Sequence, residues 1–429
     1  MPLNLLPGEI LDNNSRFKFL LYSRALRSVA IIYMTLAIPL YLHLLSLSVT
    51  LIGVIYVGVM VFIVLTSLLF GMIGDRFGYK KSLILSEVPP VVGGLLLWFS
   101  GNITLAVIAA IVSGVGGVAG GLRGSFSPGT TAIVVSNYPE DKERVKRLSS
   151  LTKIASAFSI IGAFVLMSQS YLQNYLGSIS SYRLLFLLSS FLMALSLISL
   201  LFVSETKRPK KTTKIMQMSS MMHTFKVIAA NAVNGAGIGV AMPLFPLILE
   251  SAFKIPSQST SLIIGLVYIP SYIGVSFGSY LAGRFSYKKN IVLIASATRS
   301  VSGLLLLFMG VFIAFEYFGV YAGYSMLIAV TLLYAVRAII AGYGNPFIQA
   351  VNMKGINKED YGTASSFQGV SSTLSMSSSG ISGYLVEEML PLPLFLGGIL
   401  QAISGALYMP LFNKKYGNSD SQKHEEPSK

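Results

Sequence analysis

Cysteine is missing from this chain altogether, which excludes a disulfide, a thiolate metal site and a thiol nucleophile, and leaves the redox compartment unmarked. Charge is scarce too. Only 11% of the residues are Asp, Glu, Lys or Arg, where soluble domains run near a quarter. Acids are the rarer kind, 17 against 32 Lys and Arg. No G-x-x-x-x-G-K-[ST] loop is present to cradle a phosphate, so an ATP-driven pump has no support. The three histidines form no metal-spaced cluster with acids, and no Ser-His-Asp set falls at one depth, so a membrane-embedded enzyme is disfavoured. No cofactor is implied.

What fills the chain instead is apolar sequence. With 429 residues, 53% of them hydrophobic, and a mean hydropathy of +0.69, it is not a soluble globule. About 20 apolar residues cross a bilayer as helix, which leaves room for twelve spans. The spacing predicts spans over 24–47, 51–70, 82–100, 103–135, 149–172, 182–203, 225–249, 261–282, 290–314, 321–350, 363–386 and 391–412. Residues 1–23 read as a cytoplasmic tail without a cleavable signal, with an interfacial helix as an option at Arg16–Tyr22. The organisation is therefore a first six-span unit over 24–203, a basic linker over 204–222, a second unit over 223–412 and a polar tail over 413–429.

The net charge of +15 would suggest nucleic acid in a soluble protein. Its distribution says otherwise. With both termini inside, every Lys and Arg except Arg123, Arg183, Lys254, Arg299 and Arg337 falls in or beside an inner segment. That is the positive-inside pattern. The expected location is the cell membrane with cytoplasmic termini, and nucleic acid is not an expected partner.

The most informative stretch is the connector Gly71–Lys81, GMIGDRFGYKK, between the second and third spans. It holds Gly71, Gly74 and Gly78 for a sharp turn, one acid, Asp75, and the cations Arg76, Lys80 and Lys81. Half a chain later Arg76-Phe77-Gly78-Tyr79-Lys80-Lys81 recurs as Arg284-Phe285-Ser286-Tyr287-Lys288-Lys289. Further matches come in the same order. Ala37-Ile38-Pro39-Leu40-Tyr41 pairs with Ala241-Met242-Pro243-Leu244-Phe245, Ile52-Gly53 with Ile264-Gly265, and Pro128 with Pro346. Six spans per unit make the repeats parallel.

The pattern G-x-x-x-D-R-x-G-x-K-K between the second and third spans resembles the loop that marks the major facilitator superfamily of transporters. The resemblance implies an all-α fold, with twelve transmembrane helices in two pseudo-symmetric six-helix bundles around a central site. It implies a cavity lined by helices 1, 2, 4, 5, 7, 8, 10 and 11, with helices 3, 6, 9 and 12 outside. It also implies a conformational latch. Gly71, Asp75, Arg76, Gly78 and Lys80 match the loop, and Arg144 matches the arginine that joins the acid near the start of helix 11.

Weighed by helix, the candidate substrate-binding residues are Arg337, Arg123, Asn231, Asn234, Tyr33 and Tyr268. A charge at membrane depth is costly and is normally paired or functional, which favours Arg337 on helix 10 and Arg123 on helix 4. Either could instead satisfy carbonyls within its own bundle. Asn231 and Asn234 are three apart, hence on one helix face. Tyr33 and Tyr268 lie deep in their spans. Arg299 and Glu87, on supporting helices, read as intrabundle structure, and the serines of helix 11 read first as packing residues. Helices 1, 4, 7 and 10 have no Asp or Glu well inside the membrane, so no proton carrier is evident in the cavity. The fifth span also lacks the G-x-x-x-G-P-x-x-G-G pattern of drug–proton antiporters in that family.

The expected function is secondary active or facilitative transport of a small solute by alternating access, with a preference for an organic anion or a polar metabolite. The alternatives are a proton-coupled exporter of hydrophobic drug-like compounds and, in another class, a non-transporting receptor on the same scaffold. The expected partners are the solute, protons as the candidate coupling ion, and the lipid bilayer, with the chain acting as a monomer.

Overall fold

A computed structural model describes residues 13–116, 130, 133–134, 137–138, 141–205, 217–285, 290–320, 323–356 and 361–416. All regular structure among them is helical. Lipid offers the backbone no hydrogen bonds, so each spanning segment must satisfy its own, and helices do that. In chain order these are α1 (Asn13–Leu44), α2 (Val49–Phe77), α3 (Tyr79–Phe99), α4 (Ile103–Ser113), α5 (Asp141–Leu176), α6 (Ser178–Leu201), α7 (Met218–Ala241) and α8 (Phe245–Ala252). There follow α9 (Thr260–Phe285), α10 (Ile291–Tyr317), α11 (Tyr324–Lys354), α12 (Tyr361–Ser375), α13 (Ser379–Glu388), α14 (Leu392–Ala406) and α15 (Tyr408–Tyr416).

Polar residues mark the turns between spans. Ser48 and Asn102 accept from the Leu51 and Leu105 backbone N–H groups and cap α2 and α4, and Asn290 caps α10 in the same way. Gly78, on the membrane face of Asn290 and opposite Ser48 and Asn102, takes φ 103° between α2 and α3, a backbone angle that a side chain would strain. Ten helices among the described residues are long and apolar enough to cross a membrane, so the chain is a multi-pass membrane protein. Two expected spans fall short of that measure for visible reasons. α4 stops at Gly114, with φ 59°, and the sequence expected to continue it (117–129, with Arg123 and Pro128) lies outside the described residues. The serine-rich eleventh span is broken into α12, a 3-10 turn over Met376–Ser378, and α13.

The observed boundaries differ from expectation at two places. The first helix begins at Asn13 rather than Arg24, because Phe17 and Leu20 are buried against Leu83, Leu151 and Leu200 instead of lying in a tail. The seventh span is not one helix. Pro243 cannot donate a backbone hydrogen bond, and the chain breaks at Met242–Leu244 before resuming as α8.

Within the first half, α1 packs on α5 and α6, and α3 on α4 and α6. Within the second, α9 packs on α11, α10 on α11 and α14, and α7 on α12 and α14. The halves meet along α2 with α12–α13, α5 with α9, and α1 with α8. We call the membrane face that holds Gly78 and Glu205 the basic end, and the opposite face the far end.

Glycines show where the halves press together. At the far end, a Cβ on Gly53 would stand 2.8 Å from the Ser379 carbonyl oxygen, and one on Gly383 2.4 Å from that of Val49. Toward the basic end, Gly71 of α2, Gly283 of α9 and Gly369 of α12 have no described residue within 4 Å of that position. The contact is tight at the far end and absent at these basic-end positions.

Candidate functional site

Polar bonds reinforce the far-end closure. The Glu387 carboxylate, at the end of α13, accepts from the Thr50 backbone N–H (2.9 Å) and hydroxyl (2.7 Å), capping the start of α2 from across the interface. Tyr182 and Ser261 share a hydroxyl hydrogen bond of 2.7 Å, Leu262 N–H donates to Ser170 Oγ at 3.0 Å, and Gln173 Nε2 donates to the Gln258 carbonyl at 2.5 Å. Glu387 is exposed, just beyond the expected span. The Thr50 hydroxyl, and then its N–H, hold that carboxyl below the usual carboxylate range.

Below this closure, at mid-membrane, the halves enclose a small cavity between Thr35 and Leu36 of α1, Met242, Pro243 and Pro246 of the α7–α8 break, Tyr268 of α9 and Tyr334 of α11. Its volume of about 10 Å³ matches the space one water needs. The break at Pro243 creates this wall, since a continuous helix would carry its side chains past it. Tyr268 and Tyr334 meet edge to face with centroids 5.3 Å apart, and Phe245 packs on both, at 6.1 and 5.3 Å.

Arg337 lies one helical turn from Tyr334 and is 9% exposed. Its Nη2 donates to Gln401 Oε1 at 3.1 Å, and its Nη1 lies 4.0 Å from the Met242 sulfur. Gln401 Nε2 in turn donates to Asn234 Oδ1 at 3.4 Å. Arg337 Nε, and the hydroxyls of Tyr56 and Tyr272, are buried without a partner. The guanidinium therefore meets neutral groups, and no ion pair to it is present among the described residues.

The six substrate candidates thus separate. Tyr268 lines the cavity, Arg337 reaches Met242 in its wall, and Asn234 connects to Arg337 through Gln401. Tyr33 turns away, its hydroxyl donating to the Tyr182 carbonyl at 3.0 Å. Asn231 accepts from Arg299 Nη1 at 3.0 Å and from the Tyr408 hydroxyl at 3.3 Å, inside the second half. Arg123 lies outside the described residues.

Asn231 belongs to one of two matching clamps. In the first half, Arg27 of α1 pairs with Glu87 of α3 at 2.8 Å, and Ser196 of α6 sits 3.5 Å from the same carboxylate. In the second half, Asn231 of α7, Arg299 of α10 and Ser404 of α14 take the corresponding helices, with Arg299 Nη1 3.2 Å from Ser404 Oγ. The cation has moved from the first helix of the unit to the third, and the acid is gone. The Tyr408 ring faces the guanidinium instead, at 4.8 Å.

At the basic end, Gly71 and Arg76 lie in the last two turns of α2, Gly78 alone joins it to α3, and Lys80 is in the first turn of α3, so the expected connector Gly71–Lys81 is helical except at Gly78. Arg144 lies in the first turns of α5 rather than in a loop. The side chains of Asp75 and Arg144 are outside what is described. Glu205, which the sequence did not single out, caps α3 by accepting from Tyr79 N (2.8 Å) and Lys80 N (2.9 Å), while Lys80 Nζ donates to the Leu201 carbonyl at 2.6 Å. Its only sequence signal is an acid beside a basic linker.

The sequence model of the Major Facilitator Superfamily matches residues 20–231. No curated protein matches the chain by sequence. Among solved structures, the chain is similar to a mutant of the nucleoside transporter NupG (TM-score 0.63, 12% identity, 94% of this chain and 100% of that one). It is similar to a bacterial homologue of the human lysosomal transporter Spinster in an inward-facing, occupied conformation (0.64, 11%, 94% and 97%). It is also similar to the POT family transporter PepTSo (0.65, 12%, 96% and 99%). At these identities the likeness is one of fold.

Proposed function

Because the chain is a major facilitator superfamily protein, in sequence over residues 20–231 and in fold over nearly its whole length, we propose that it carries a small organic anion across the cell membrane by alternating access. The observation that carries the choice of anion is the balance of buried charge. Among the described residues the buried arginines are Arg24, Arg27, Arg299 and Arg337, and Glu87 is the one buried acid. A buried cation without an acid is expensive. Arg337, at the interface of the halves with a neutral amide as partner, is where a substrate anion offsets that cost.

In this reading the halves are the units 24–203 and 223–412, and both termini are cytoplasmic with the basic end. The far-end contacts then belong to a state that is open at the basic end, which the unopposed glycines Gly71, Gly283 and Gly369 support. Asp75, Arg76, Gly71, Gly78, Lys80 and Arg144 form the latch of the opposite state, when α2 and the start of α12 come together at the basic end.

Reconstitution into liposomes with a panel of labelled solutes, with and without a proton gradient, tests this. Saturable flux of an organic anion, lost in Arg337→Ala, is expected. Gradient-driven flux of a hydrophobic compound, untouched by Arg337→Ala, would favour drug–proton export instead, and binding without flux would favour a receptor.

A further inference from the structure

The wall around Arg337 is aromatic, and its charge is single. Phe245, Tyr268 and Tyr334 form one cluster, edge to face at Tyr268 and tilted between Phe245 and Tyr334, with Tyr272 continuing it 6.1 Å from Tyr268. Among the described residues, Arg337 Nε on α11, Tyr56 OH on α2 and Tyr272 OH on α9 are buried donors without partners. Each such donor destabilises the interior until something accepts from it. No Asp or Glu lines the cavity, and Glu87 is committed to Arg27 in the first half.

Two substrate classes then fit poorly. An ammonium group would sit beside a guanidinium with no carboxylate to receive it, which disfavours zwitterions. A second negative charge would have no second cation among the described residues of this wall, at a depth where charge is weakly screened, which disfavours dianions. We propose that the substrate is an aromatic monoanion that bears no positive group. Its carboxylate accepts from Arg337 Nε, and its ring packs edge-on against Tyr268 and Tyr334 in place of the contact these rings now make with Phe245. This rests on Arg337 marking the transport site.

The test is calorimetric titration of the purified full chain with benzoate, cyclohexanecarboxylate, phenylalanine, phthalate and benzyl alcohol. Benzoate is expected to bind saturably, about two- to tenfold tighter than cyclohexanecarboxylate, and at least about tenfold tighter than phenylalanine, phthalate or benzyl alcohol. Tyr334→Leu should bring the benzoate-to-cyclohexanecarboxylate ratio to near unity, and Arg337→Gln should weaken both at least about tenfold. Size-exclusion profiles check that each variant is folded, and if Arg337→Gln is not, the Tyr334→Leu ratio decides. Equal binding of the two carboxylates, with both lost in Arg337→Gln, overturns the aromatic body and leaves the anion reading standing. Benzoate binding that Arg337→Gln leaves unchanged overturns the placement of the site itself. Phenylalanine binding as tightly as benzoate, or no binding by any probe, overturns the proposed class.

Discussion

Gly383→Ala should force the far end open. Gly383 lies where α13 crosses the start of α2, and a methyl there would stand 2.4 Å from the Val49 carbonyl oxygen and 2.6 Å from Thr50 Cα. Both are backbone atoms, so no side chain can swing aside. The helices must part by about 1 Å to restore ordinary contact, and overpacking of this kind costs about 1–3 kcal/mol. The cost falls only on the state in which these helices touch. The ratio of far-end-open to far-end-closed molecules should therefore rise about 5- to 150-fold. Because the chain has no native cysteine, spin labels can be placed without background. Tyr175→Cys and Tyr324→Cys carry them on exposed far-end positions of opposite halves. Electron–electron distance measurement should show a longer component growing in Gly383→Ala and not in Gly369→Ala, where a methyl meets open space. A folded Gly383→Ala protein with the parent's distance distribution would refute the argument that this contact holds one of two states.

Much of this architecture could be read before any coordinates, because lipid enforces simple rules. Apolar length marks a span, and the G-x-x-x-D-R-x-G-x-K-K pattern marks the fold. The failures share a cause. Asn231 and Asn234 are on one helix face, yet Asn231 serves Arg299 while Asn234 reaches toward Arg337 through Gln401, and helical spacing cannot say which neighbour a face meets. Tyr33 is deep enough for a cavity but turned toward α6 by the Tyr182 carbonyl. The capping roles of Glu387, legible only as an acid at an outer end, and of Glu205 were not readable because each caps a helix far away in sequence, and nothing local marks a long-range cap. The break at Pro243 was visible as a proline but not as the wall of a cavity.

Other outcomes follow from the same contacts. The Glu387 carboxyl is held below its ordinary value in the far-end-closed state, so its contribution is complete near neutral pH. It should fade as pH drops from the ordinary glutamate value of about 4.3 through the lowered one; Glu387→Gln should remove that acid sensitivity from the far-end distance distribution, and an unchanged pH profile would clear Glu387 of the role. Glu87→Gln leaves Arg27 buried beside a neutral amide and should destabilise the protein by about 3–5 kcal/mol in denaturant titration, with Arg27→Met in the same chain recovering most of the loss. Asp75→Asn should slow transport while expression and thermal unfolding stay near wild type, and unimpaired flux would remove the latch.

The account stands on the halves having to part at the far end for solute to cross. Ser170 and Leu262 face each other across that interface, with a hydrogen bond of 3.0 Å between them. A reducible cross-link between Ser170→Cys and Leu262→Cys, made in liposomes loaded with the best-transported solute of the panel, should drop flux to that of empty vesicles, and reduction should restore it. Full flux through cross-linked protein would mean that solute crosses without that parting.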